Sequence, residues 1–82
     1  MDARDEELVR ALAPEHAGLR RSYEKHARLK AEVDELTARP HLTTEEELHR
    51  RELQKQKLAE KDKIIRILGE YRRERGEVST QS

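Results

Sequence analysis

From Leu8 onward, apolar residues recur in alternating steps of four and three. Leu8, Leu12, Leu19, Leu29, Val33 and Leu36 share one helical face with Glu15, Ser22 and His26. Pro14 interrupts this face, because proline lacks an amide proton and its ring clashes with the preceding turn. The pattern therefore predicts a short N-terminal helix or flexible segment over 1–14 and a main helix over about 15–38. A turn at 39–43 follows, since Pro40 disfavours helix at Arg39 and the threonines offer N-caps. The next helix should run over about 45–75. Thr43 with Glu46, or Thr44 with Glu47, has the spacing of a capping box, and Glu45, Glu46 and Glu47 suit the positive end of a helix dipole. At the far end the basic run Arg72, Arg73, Arg75 suits the negative end, and Gly76 lies just beyond it. Residues 76–82 lack periodic apolar content and read as a disordered tail.

The second long helix carries two adjacent stripes. One passes through Leu53, Lys57, Glu60, Ile64, Ile67 and Tyr71, the other through Leu58, Lys61, Ile65 and Leu68. A single partner helix covers one seam. The fold expected is therefore all-α, an antiparallel two-helix hairpin of coiled-coil type. A second copy would bury the remaining stripe in a four-helix homodimer, because a lone hairpin without disulfides or metal is too small to hold itself together. Closing the turn near residue 42 sets His26 opposite Lys57 and Leu58, and Tyr23 opposite Lys61.

Composition narrows the field without naming a job. Of 82 residues, 44% are charged and 33% hydrophobic, with no Phe, Trp or Cys, so sandwiches, barrels, disulfide frameworks and thiolate metal sites lack their usual residues. Eighteen bases balance eighteen acids, yet residues 1–47 carry a net −4 and residues 48–82 a net +4. The two halves can attract one another. No apolar run approaches the roughly 20 residues of a membrane span, and the acidic N-terminus lacks the apolar centre of a signal peptide. A cytoplasmic location is expected.

Residues 53–64 read LQKQKLAEKDKI, and their Lys57, Leu58, Lys61, Asp62 and Ile64 resemble the L-K-K-x-K-L-x-apolar-K-D-x-I signature of the YdcH-like family, small bacterial proteins of unknown function. His26, Leu29 and Val33 resemble its H-x-x-L-x-x-x-I/V segment. Arg39, Pro40, Leu42, Thr43 and Glu45 to Glu47 resemble the R-P-x-L-T-x-E-E-E connector of some members. Gln54 stands where the family more often has Lys, and Glu60 where an apolar residue is usual. The resemblance implies a helical hairpin and brings no established activity.

Candidate chemistry is sparse. His16, His26, His41 and His49 include no pair at i,i+4, so no metal and no cofactor is expected. No phosphate loop or nucleophile arrangement is present, and two helices with few large side chains do not readily enclose a catalytic pocket, so no enzyme activity is expected. His26 on the seam reads as an interface histidine, pH-sensitive if it packs beside Lys57. Lys57, Lys61 and Asp62, with the apolar Leu58, Ile65 and Leu68, read as a candidate interaction surface, a positively charged ledge for an acidic partner segment. The expected function is that of a small interaction protein that homo-oligomerises and docks on another protein. The alternative is a factor that associates with nucleic acid or the transcription machinery. It would use the ten bases between 50 and 75, or Glu45, Glu46 and Glu47 as an acidic tip. Interspersed acids and the lack of aromatic platforms argue against base-specific reading.

Overall fold

The structure is a computed structural model that describes residues 3–76. It is all-helical, with no strand among the described residues. α1 spans Ala3–Leu12, a 3-10 turn spans Ala13–Glu15, α2 spans Ala17–Thr37 and α3 spans Thr44–Glu74. α1 takes the place of the short N-terminal helix or flexible segment expected over 1–14. Apart from Gly76, the segment read as a disordered tail lies outside the described residues.

Local chemistry sets the boundaries. Asp5 and Glu6 lie in the first turn of α1 and Arg10 in its last, each opposing the nearer dipole end. Pro14 sits in the first positions of the 3-10 turn, where its missing amide costs nothing. His16 then adopts an extended backbone and caps α2, its Nδ1 accepting the Leu19 amide proton at 3.1 Å. The imidazole lies over Gly18, where a Cβ would stand 3.3 Å from its Cε1, so a glycine lets the cap approach closely.

Of the two capping boxes open to the sequence, Thr43 with Glu46 forms. The Glu46 amide donates to Thr43 Oγ1 at 3.1 Å, and the Thr43 amide donates to Glu46 Oε1 at 2.9 Å. Glu46 also receives Arg39 at 2.8 Å, which ties the turn to the helix it starts. At the other end Gly76 takes φ +75°, and its amide donates to the Arg73 carbonyl, a left-handed stop that L side chains rarely adopt.

Packing is divided between two apolar clusters. Leu29, Val33, Leu36 and Leu53 are buried near the turn with Leu42 against them. Val9, Leu19, Ile64 and Leu68 are buried at the far end, with Leu8, Leu12, Tyr23 and Ile67 against them. Early residues of α2 thus meet late residues of α3, and Lys25 meets Glu60 between the clusters at 3.4 Å.

Two expectations change here. The heptad carried across Pro14 selects Leu8 and Leu12, but the buried residue of α1 is Val9, because the 3-10 turn resets the helical phase. The sequence pattern places Leu68 on the outer stripe, but it is 1% exposed, since α1 lies back over it and Val9 packs against it. Tyr23 turns toward α1, donating to Glu6 Oε1 at 2.6 Å. The radius of gyration is 15.5 Å, against about 12 Å for a compact domain of this length.

Candidate functional site

The residues singled out in the sequence fall on different surfaces. Leu58 is 54% exposed and Ile65 46% exposed, one heptad apart on α3 and roughly 120° round the helix from the Leu53–Ile64 seam. Lys61 lies half-buried between them in sequence, and Asp62 beside it is exposed; neither forms an ion pair among the described residues. Leu48, nearer the start of α3, is 57% exposed. Leu68 is withdrawn from this surface, so the stripe is shorter than its sequence pattern.

Lys57 lies near enough to α2 for its charge to act on His26. His26 is half-buried there, and burial, followed by the nearby charges of Lys57 and Lys61, pushes its pKa below the ordinary 6.5; Glu6 of α1 opposes this. The ring is thus favoured in its neutral form.

The turn glutamates are largely engaged. Glu46 completes the capping box and pairs with Arg39, while Glu47 binds Arg50 at 2.7 Å and Arg51 at 3.4 Å. A hydrogen bond from the Thr43 backbone holds the Glu46 carboxyl below its ordinary range, and one from Arg50 does the same for Glu47. Among the described residues Glu45 alone of the three has no side-chain partner. An acidic tip for a basic channel would have to compete with the cations already in place.

The polar group that sequence reasoning undervalued is Glu60. Its side chain is 6% exposed in the seam, where Lys25 reaches it at 3.4 Å and Lys63 at 3.3 Å. Burial pushes its carboxyl up, but hydrogen bonds from Lys63, Lys25 and Ser22 together outweigh this and hold it below the ordinary value. Arg21 borders the same cleft with Gly18 and Ser22. The departure from an apolar residue at 60 was the signal available; its partner Lys25, 35 positions away, was not readable.

The histidines are dispersed. His16 caps α2, His26 faces Lys57, and His41 and His49 are exposed. Among the described residues no three His, Asp or Glu side chains gather as metal ligands, and no helix is long and apolar enough to cross a membrane. The recess between Leu12, His16, Ile67 and Tyr71 has a volume of about 120 Å³, and a wider, open cleft of about 490 Å³ lies at the turn between Leu36, Arg39, Leu42 and Arg50. The bases of α3 alternate with Glu52, Glu60, Asp62, Glu70 and Glu74, which leaves no uniform track for a phosphate backbone.

No curated protein and no solved structure matches the chain. A family profile does, over residues 19–68, described as protein of unknown function (DUF465). The matched span includes α2 from Leu19, the capped turn, and α3 through Leu68, so it holds Lys57, Leu58, Glu60, Lys61 and Asp62 but not α1. The chain belongs to this family, small bacterial proteins of unknown function that include the YdcH-like proteins.

Proposed function

We propose that this chain is a small, non-enzymatic helical interaction protein. In this reading α2 and α3 form an antiparallel hairpin, and the outward face of α3 joins it to a second copy before the assembly docks on another protein. The observation that carries the reading is the pair Leu58 and Ile65, both about half exposed and one heptad apart on a face that none of the described residues covers. Two further features support it. The buried apolar core of the described residues is eight side chains split into two clusters, and the molecule is elongated, so a second copy would add the burial that a single copy lacks.

Sedimentation across concentration tests this directly. The expected mass is near twice the 9.7 kDa of one chain, falling to one chain when Leu58 and Ile65 are both replaced by glutamate. A wild-type chain that stays a folded monomer at about 100 μM, a concentration at which micromolar association would be evident, would remove the self-association reading.

A further inference from the structure

α1 touches the rest of the molecule through few side chains. Val9 is 1% exposed among Leu19, Ile64 and Leu68, with Leu8 and Leu12 packed beside it. Glu6 accepts from Tyr23 at 2.6 Å, and Asp5 pairs with Arg72 at 3.0 Å. The surface that receives it has an apolar floor of Leu19, Ile64 and Leu68, walls of Tyr23 and Arg72, and Lys57 and Lys61 further along. α1 supplies the complement, an acidic first turn followed by apolar residues on one face.

The attachment is also separable. A ten-residue helix is marginal in water by itself, and α1 is joined to α2 only through the 3-10 turn and the extended backbone of His16. The family match starts at Leu19 and includes the whole apolar floor and Tyr23, while α1 lies outside it.

We propose that the groove between α2 and α3 is a docking site for an acidic amphipathic helix of a partner protein, with α1 as the built-in occupant that such a partner displaces. Charge complementarity and shape are both shown by the occupant already seated. Because α1 is tethered, it competes at an effective concentration in the millimolar range, so a partner must exceed that threshold. Its departure uncovers Leu68, which then extends the Leu58–Ile65 stripe.

The test uses a synthetic peptide of residues 1–12 as probe and the full ¹⁵N-labelled chain as receptor, followed by NMR. Val9→Asp in the chain weakens the tethered occupant. That variant should bind the peptide at least tenfold more tightly than the wild type, with shifts centred on Leu19, Tyr23, Ile64, Leu68 and Arg72. A peptide with Asp5, Glu6 and Glu7 replaced by lysine should bind at least tenfold more weakly.

Should Val9→Asp unfold the chain, Asp5→Asn with Glu6→Gln replaces it, since these changes release the polar anchors and leave the core intact. In the wild type, α1 amides should exchange at least tenfold faster than those of α2. Equal binding by wild type and variant, equal binding of the acidic and basic peptides, or tighter binding to phosphatidylserine vesicles than to the peptide would each overturn the proposal. So would a wild-type dimer that Val9→Asp converts to monomer, because the groove would then hold the α1 of a second copy. Replacing Leu58 and Ile65 leaves this groove intact, so its fate is independent of the self-association reading.

Discussion

At the turn end, Leu29, Val33, Leu36 and Leu53 close over one another through residues that lie within 24 positions of each other, and the capping box at Thr43 fixes where α3 begins. At the opposite end, Val9 meets Ile64 and Leu68 across more than 50 positions, and the polar ties are Glu6 to Tyr23 and Asp5 to Arg72. One end is held by neighbours in the chain. The other is held by the arrival of a separate helix, which makes it the end where the fold can open without losing the rest.

The largest effect should come from truncating the core at the α1 end. Ile64 is fully buried, and Ile64→Ala should cost about 3–4 kcal/mol in urea denaturation, as a cavity forms where α1, α2 and α3 meet. Leu53→Ala at the turn end falls in the same broad range of about 2–5 kcal/mol, but hydrogen exchange should separate the two. Ile64→Ala should release α1 at mild denaturant, whereas Leu53→Ala should leave α1 exchange unchanged relative to global unfolding. If both loosen α1 equally, the two ends are one cooperative unit and the contrast fails.

Next in size are the polar ties at each end. Thr43→Ala should cost about 1 kcal/mol and fray the first turn of α3. Tyr23→Phe should cost about 1 kcal/mol or less, since the bond to Glu6 is only partly buried, and its effect should be confined to α1. Amide exchange at residues 44–47 and at residues 4–12 reads the two independently. An equal loss of protection in both regions for either variant would sink the division.

How far the sequence carries this picture differs between the ends in the same way. The leucines at 19, 29, 36 and 53, the capping residues and the glycine stop are local or periodic signals, and the all-helical class follows from them. Choosing between Thr43 and Thr44 required the structure, because Arg39 also reaches Glu46 and no spacing rule includes it. Val9 was illegible for a physical reason: Pro14 resets the helical phase, so a register extended across it selects the wrong residues. Leu68 was illegible for a different reason, since its cover comes from Val9, more than 50 positions away.

The exposed pair Leu58 and Ile65 was legible as a stripe, though the sequence alone did not show where the stripe ends. Glu60 looked like a defect in a seam, and only the cations of Lys25 and Lys63 turn it into a satisfied buried carboxylate. Replacing it tests whether the two clusters need to be separate. A buried, paired charge exchanged for a leucine of similar bulk is often neutral or stabilising, so Glu60→Leu should leave stability within about 1 kcal/mol of wild type or raise it. Thermal unfolding checks this, and a loss above about 2 kcal/mol would show that the ion cluster is itself a main support of the seam.

The smallest expected effect lies between the two ends, where His26 and Glu60 titrate in separate windows. Burial and the cations Lys57 and Lys61 hold the folded His26 pKa below 6.5, so on acidification the unfolded chain takes up the proton first. The neutral ring therefore contributes its full stability above pH 6.5, and that contribution declines as pH falls from 6.5 toward the folded value. Glu60 is held below 4.5, so its contribution is present above pH 4.5 and is lost as pH falls through its folded value; Glu46 and Glu47 act in the same direction. The first window should amount to less than about 1 kcal/mol, because the imidazole is only partly buried and solvent screens its neighbours. Urea denaturation from pH 7.5 to 5 should show this shallow decline in the wild type and a flat profile in His26→Gln. Hydrogen exchange along the same series locates the effect: Glu6 of α1 favours the protonated ring while Lys57 and Lys61 of α3 oppose it. If α1 alone gains protection as pH falls, the histidine belongs electrostatically to the α1 end. If α2 and α3 lose protection together, it belongs to the seam, and the boundary between the two regions lies at Tyr23 rather than at His26.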